Sequence, residues 1–203
     1  MDEIGMMGGY FNPIHNWHLL LGDCAAHQFK LKKVLYIPSG EPPHAKKHKQ
    51  DGNTRFRLVQ AAIDGNALFQ ASRIEIDRPG VTWTIDTLRE LKKEYGDGVR
   101  LNFIIGEDNI KAIAAYDKRA ELASLCRLLV ACRGEADPAQ LAAWRAAVPE
   151  AEIEAIDCPV SDLSSTLVRD RVAAGKPYRY LVPAKVYDLI EELRLYLPEK
   201  VAA

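Results

Sequence analysis

Two histidines three residues apart, His15 and His18, follow the glycine pair Gly8-Gly9 and the run Tyr10-Phe11-Asn12-Pro13-Ile14. An imidazole can donate a hydrogen bond and carries a charge when protonated, and side chains three apart at a helix start share a face. Glycine lets backbone N–H groups come close to an anion, and the first turn of a helix adds unpaired donors and the positive end of its dipole. Such a set suits a bound phosphate. The same residues could instead make a plain turn or half of a metal site, although no third ligand stands at a zinc-like spacing.

A second group of similar character lies near the other end of the chain. Ser164 can cap a helix on which Ser165 and Arg169 stand four apart, so hydroxyls, helix N–H groups and a guanidinium converge on one small volume. Taken alone, that cluster is equally a capped surface helix with a solvated arginine. A third group, Lys46, Lys47, His48 and Lys49, makes a local basic cluster within a long polar loop, residues 39–53, that also holds Pro42 and Pro43.

These groups need elements that bring them together. Residues 4–7 read as a strand, 17–29 as a helix and 34–37 as a strand ending at Pro38, which is the βαβ pattern of a parallel sheet. In open α/β sheets ligands collect at the carboxyl ends of the strands, so the loop over 39–53 reads as a ligand flap. Thr54 is expected to cap a helix through residue 63, with Arg55 in its first turn. Alternation over 69–76 predicts a strand near a sheet edge. A helix carrying Ile85, Leu88 and Leu91 on one face should run to about residue 95. Residues 101–105 read as a buried strand ending at Gly106-Glu107-Asp108. Strands at 128–132 and 153–156 flank a helix at 139–147, and helices starting at Ser164 and Pro183 close the chain. The expected class is α/β, a doubly wound, mainly parallel sheet with helices on both faces.

Composition limits the setting. The formal net charge over 203 residues is −1, so no global basic field recruits nucleic acid and any anion site must be local. A hydrophobic content of 48% supports one sizeable core, and a single domain over 1–203 is the expectation. Cys24, Cys126, Cys132 and Cys158 are scattered with no Cys-x-x-Cys pair, which argues for reduced thiols rather than a disulfide scaffold or zinc ribbon. Asp2 and Glu3 stand where a signal peptide carries positive charge, and no apolar run reaches the length of a membrane span. A cytoplasmic protein is expected.

Gly9-x-Phe11-x-Pro13-x-His15-x-x-His18, with Ser164-Ser165-Thr166-x-x-Arg169 near the other end, resembles the nucleotidyltransferases of the HxGH type. More narrowly, the chain is similar to the bacterial nicotinate-nucleotide adenylyltransferases. Ile37-Pro38-Ser39-Gly40-x-Pro42-Pro43-His44, Thr84-x-Asp86-Thr87-Leu88 and Ile104-Ile105-Gly106-x-Asp108 match that family's intermediate motifs in order. The resemblance spans nearly the whole chain and implies a Rossmann-like fold in which the helical part over about 160–203 completes the phosphate site.

It also implies a reaction, transfer of AMP from ATP to nicotinate mononucleotide with release of pyrophosphate, and Mg²⁺ bound through the ATP phosphates. By the same resemblance His15, His18 and Arg169 are the catalytic residues, the histidines at the phosphates undergoing transfer and Arg169, with Ser165 and the helix N–H groups, gripping the outer phosphates. Gly8, Gly9, Tyr10, Phe11, His44, Lys46, Gly106, Asp108, Ser164, Ser165 and Thr166 are expected around ATP and its phosphates. Asp108 would hold a ribose, or else cap the helix that follows it. Thr84, Tyr116 and Arg133 are expected at the nicotinate nucleotide, Tyr116 standing where the family commonly has a stacking Trp, while Trp83 is expected in the core. The chain departs from the family pattern at Asn12, usually Asp, and at Trp17, usually Gly.

Two other readings fit the residues. One is an adenylyl- or cytidylyltransferase with another phosphate-bearing acceptor, such as phosphopantetheine. The other is a nucleotide-binding sensor or interaction module with impaired catalysis, which Trp17 and Asn12 favour and the intact His15, His18, Ser165 and Arg169 oppose. An exposed apolar helix face could make a homodimer.

Overall fold

The computed structural model describes residues 2–41, 50–132, 137–159 and 161–198. Six parallel strands form one sheet in the order β3-β2-β1-β4-β5-β6. The strands are β1 (Asp2–Gly9), β2 (Lys33–Pro38), β3 (Phe69–Ala71), β4 (Val99–Gly106), β5 (Cys126–Ala131) and β6 (Ile153–Ile156). The chain starts in the middle of the sheet, winds outward through β2 to β3, then crosses back to lay β4 on the free side of β1. In the register, Met6 sits beside Leu35 on one side and Phe103 on the other. Winding direction reverses between β1 and β4, which opens a crevice at their carboxyl ends.

Because the central strands are buried on both faces, alternate residues feed two separate cores. Met7, Tyr36, Ile104 and Leu129 pack with α1 (Asn16–Gln28), α2 (Gly52–Ile63), α7 (Ser165–Ala173) and α8 (Ala184–Glu192). Met6, Leu35, Ile105 and Leu128 point the other way, against α3 (Thr84–Tyr95), α4 (Ile110–Ala114), α5 (Arg119–Leu125) and α6 (Pro138–Ala147). Helix α1 is seated on the sheet by Tyr36, whose hydroxyl donates to the carbonyl of His18 at 3.1 Å. Gly22 makes room for that ring, since a Cβ there would lie 2.1 Å from the hydroxyl.

Two expectations need correcting, and two short helices add to them. Helix α2 starts earlier than Thr54 because Asp51 caps it, its carboxylate accepting from both the N–H and the hydroxyl of Thr54 at 2.9 Å. The strand expected over 69–76 ends at Ala71, where Ser72 N–H turns back onto the carbonyl of Tyr36 and Arg73 pairs with Asp77 four residues on. Helices α4 and α5, between β4 and β5, were not visible as periodic stripes because each spans seven residues or fewer. No helix among the described residues is long and apolar enough to cross a membrane.

Candidate active site

Strand β1 runs out at Gly8-Gly9 on the carboxyl edge of the sheet, and Ser39 N–H ties the end of β2 to the carbonyl of Gly9 at 2.9 Å. The turn that follows is tightly packed. Phe11 is buried with a φ of 48°, in the left-handed region a side chain enters only under constraint. A Cβ on Gly9 would lie 3.2 Å from the Phe11 ring, so glycine is what admits the phenyl group.

Donors from other elements hold three carbonyls of this turn. Arg55 of α2 donates to the carbonyl of Tyr10 at 3.0 Å, Arg169 of α7 to that of Asn12 at 2.8 Å, and the Ser165 hydroxyl to that of Pro13 at 2.8 Å. Asn12 is buried, and its side-chain oxygen accepts from the Tyr196 hydroxyl at 2.8 Å. An amide serves this bond without a buried charge.

His15 then caps α1. Its backbone N–H donates to Nδ1 of His18 at 3.2 Å, and the two rings stack with centroids 3.7 Å apart and planes 24° apart. The edge of Phe11 meets His18 at 5.0 Å. Since Nδ1 of His18 is an acceptor, the neutral ring carries its proton on Nε2. Burial draws the pKa of His15 down to about 4. Burial, with His15 as a second cause, takes His18 well below the usual histidine range. Both rings are therefore neutral hydrogen-bonding groups at pH 7, and the charge that the sequence allowed them is suppressed.

Beside the pair opens a cleft of about 520 Å³. Its walls are His15, Trp17, His18 and Leu21 from the start of α1, Gly106 to Asp108 beyond β4, Ala131 and Cys132 at the end of β5, and Ser161 to Ser165. Ser164 caps α7, its hydroxyl accepting from Leu167 N–H at 3.1 Å. Asp108 does not cap a helix: it lies inside a 3-10 turn, residues 107–109, with its carboxylate folded back over Gly106, where a Cβ would be 2.5 Å away. Trp17 is half-buried, its indole resting on the core beneath α1 while it lines the cleft.

A smaller, more apolar pocket of about 200 Å³ adjoins the cleft through the same 106–109 segment. Trp83, Thr84, Phe103, Asn109, Ile113 and Tyr116 line it. Trp83 is 41% exposed, not in the core, because it precedes α3 and stands off the buried Ile85–Leu88–Leu91 face. Its ring lies nearly parallel to that of Tyr116, with centroids 6.4 Å and planes 17° apart. The N-cap position of α3 makes no side-chain cap bond.

Of the residues singled out from sequence, His15, His18, Gly106, Asp108, Ser164 and Ser165 meet in the cleft, while Thr84 and Tyr116 meet in the neighbouring pocket. Gly8, Gly9, Tyr10 and Phe11 form the turn beside them. Arg169 and Thr166 sit behind it: the guanidinium is spent on the Asn12 carbonyl and on the Thr166 hydroxyl, at 3.1 Å. His44, Lys46 and Arg133 lie outside the described residues. Trp83, expected in the core, lines the pocket instead, and Arg55 has no role expected from sequence, although a charged residue at position 55 in a stripe with Leu58, Val59 and Ala62 is a visible anomaly.

A family profile described as cytidylyltransferase-like matches residues 6–171. The chain is 38% identical over 199 residues to a nicotinate-nucleotide adenylyltransferase of Thermoanaerobacter sp., covering 96% of this chain and 94% of that protein. A Synechococcus sp. protein of the same name is 40% identical over 200 residues, covering 96% and 95%. The chain belongs to the nicotinate-nucleotide adenylyltransferase family. The fold is also that of the Plasmodium falciparum nicotinic acid mononucleotide adenylyltransferase solved with NaAD, with a TM-score of 0.76 at 16% identity over 97% of this chain and 98% of that one.

Proposed function

We propose that this chain transfers the adenylyl group of ATP to the phosphate of nicotinate mononucleotide, giving nicotinate adenine dinucleotide and pyrophosphate. The observation that carries the reading is the adjacency of two sites on one sheet edge: a polar cleft with a stacked histidine pair, and an aromatic slot beside it.

The attacking group is a phosphate oxygen of the acceptor, already anionic, so no side chain need act as nucleophile or strong base. What the protein supplies is position and hydrogen bonds to developing charge. Nε2–H of His18 is a donor for the phosphate under attack, and a neutral ring there stabilises charge without having to be deprotonated first. His15, whose Nδ1 is buried with no partner, is its companion. Ser164, Ser165 and the first-turn N–H groups of α7 favour the outer phosphates. Asp108 suits a ribose, as a carboxylate accepting from hydroxyls.

Nicotinate belongs in the slot between Trp83 and Tyr116. An aromatic ring stacked on both faces needs roughly 7 Å between the flanking rings, against 6.4 Å here, so a small opening admits it. The uncapped first-turn N–H groups of α3, at Thr84 and Ile85, favour a carboxylate over a carboxamide. Arg169 acts from behind, holding the Asn12–Pro13 segment rather than a phosphate. Among the described residues no group of three His, Cys, Asp or Glu side chains could hold a metal ion. A cation at the cleft would therefore take its main ligands from the nucleotide phosphates, with the cleft carboxylates Glu107, Asp108 and Asp162 nearby rather than forming a site of their own. Mg²⁺ on the triphosphate would offset negative charge as pyrophosphate leaves.

The test is pyrophosphate release from purified protein with ATP and Mg²⁺, comparing nicotinate mononucleotide, nicotinamide mononucleotide and no acceptor, alongside Trp17→Gly. Turnover dependent on nicotinate mononucleotide is expected from the wild-type chain. Silence in the wild type, with activity regained by Trp17→Gly, would mean that the indole obstructs the nucleotide and that the chain is a binding module or uses another substrate.

A further inference from the structure

Arg55 is 2% exposed, and its hydrogen bonds run to two backbone carbonyls at the carboxyl edge of the sheet. One is Tyr10, at 3.0 Å from Nη1, and the other is Ser39, at 2.7 Å from Nη2. The guanidinium also lies over the Tyr10 ring, 4.0 Å from its centroid. Tyr10 belongs to the turn after β1, and Ser39 directly follows Pro38, the last residue of β2. One side chain thus joins the two backbone segments that leave the adjacent strands β1 and β2.

A buried cation is costly unless it is paired or well hydrogen-bonded. Here burial pulls the arginine pKa down, with Tyr10 and Asp51 the main compensating neighbours, and Nε is buried without a partner. An apolar side chain in the stripe with Leu58 and Val59 would fill the same volume without that expense, so stability alone does not account for arginine. The planar fork explains the choice. It holds two acceptors at a fixed separation, which a point-charge ammonium does not.

In a trans peptide the C=O and the next N–H point in opposite directions. Drawing the Tyr10 carbonyl onto Arg55 therefore turns the N–H of Phe11 the other way, and drawing in the Ser39 carbonyl does the same for the N–H of Gly40. Two further restraints keep these peptides from rotating. Phe11 is locked at positive φ by its buried ring, and Gly40 is wedged so closely that a Cβ would lie 2.2 Å from the carbonyl oxygen of Glu75. Both N–H groups belong to the edge where anionic ligands of parallel sheets bind.

We propose that Arg55 is a positioning residue that aims the backbone N–H groups of Phe11 and Gly40 at a phosphate of the bound nucleotides. This rests on the adenylyl-transfer reading for the identity of those phosphates. Its charge, one peptide removed from the donors, adds a positive potential that no contact with the ligand is required to deliver.

The probe is inorganic pyrophosphate, the leaving group, titrated into the ¹⁵N-labelled full chain while amide resonances are followed. In the wild type the Phe11 and Gly40 resonances should shift saturably. In Arg55→Lys, with a native-like spectrum elsewhere, the same shifts should need about tenfold more pyrophosphate, and KM for ATP should rise about tenfold while kcat stays within about threefold. If the lysine variant does not fold, Arg55→Gln, which keeps an N–H donor without the charge or the fork, takes the same comparison. Resonances that stay still in the wild type, or shift at the same pyrophosphate concentration in the folded variant, would overturn the role. Normal amide shifts without turnover on nicotinate mononucleotide would instead remove the substrate reading and leave Arg55 as positioned here.

Discussion

At His15 and His18 burial favours the neutral imidazole, since two protonated rings 3.7 Å apart under a buried phenyl edge would repel without water to screen them. Folding suppresses protonation of His15 from 6.5 to about 4, so over that window the unfolded chain binds a proton that the folded chain refuses. Stability should therefore fall as pH drops from 6.5 toward 4, by about 3 kcal/mol from this residue, and the slope should flatten below that. Chemical denaturation at a series of pH values checks it, with His15→Gln expected to reduce the slope by the share of His15 while that of His18 remains. His18→Ala, which removes the Nε2 donor, should lower kcat by about 100-fold, with binding of ATP little changed. In the aromatic slot, Trp83→Ala should raise KM for nicotinate mononucleotide about five- to tenfold and leave KM for ATP unchanged, which steady-state kinetics with each substrate varied in turn would read.

At the scale of elements, α1, α2 and α7 each present something to the turn after β1. Helix α7 does so with two residues four apart, Ser165 and Arg169, that clamp consecutive carbonyls. Arg169→Met should cost about 2 kcal/mol in unfolding free energy through the orphaned Asn12 carbonyl, and it should lower kcat/KM by loosening the segment that carries His15. Calorimetry on the variant, paired with pyrophosphate release, separates the two effects; unaltered stability would mean the Asn12 contact contributes nothing. The capped start of α7 at Ser164 was legible from residue types alone, because capping is a local matter of one hydroxyl and the next turn. The contact of Arg169 with the Asn12 carbonyl was not, since the two residues lie 157 positions apart in the chain.

At the scale of the whole molecule, the reversal of winding between β1 and β4 gathers the turn after β1, the 106–109 segment and the start of α7 around one cleft. The loop after β3 closes on the end of β2 as well. Thr82 N–H donates to the carbonyl of Glu41 at 2.8 Å, and Gly40 packs against the backbone of Glu75. Gly40→Ala would force these two segments apart and should destabilise the fold by at least about 3 kcal/mol, seen as a large drop in Tm, whereas Gly80→Ala, at a glycine with open space around it, should show only the smaller strain of its φ of 79°.

Most strands and helices, the parallel arrangement, the glycine turn and the family were determined by the sequence itself. Apolar periodicity, caps and breakers act over one or two turns, so residues near one another in the chain are enough to specify them. Short elements escaped, as α4 and α5 show, because they carry too few residues to display a period. Only the tertiary structure decided that His15 and His18 stack with their charge suppressed by burial, that Trp83 faces Tyr116 across an open slot, and that Arg55 and Arg169 hold backbone carbonyls. Desolvation and hydrogen-bond partnership depend on which distant segments the sheet brings together, and no local pattern of residue types encodes that choice.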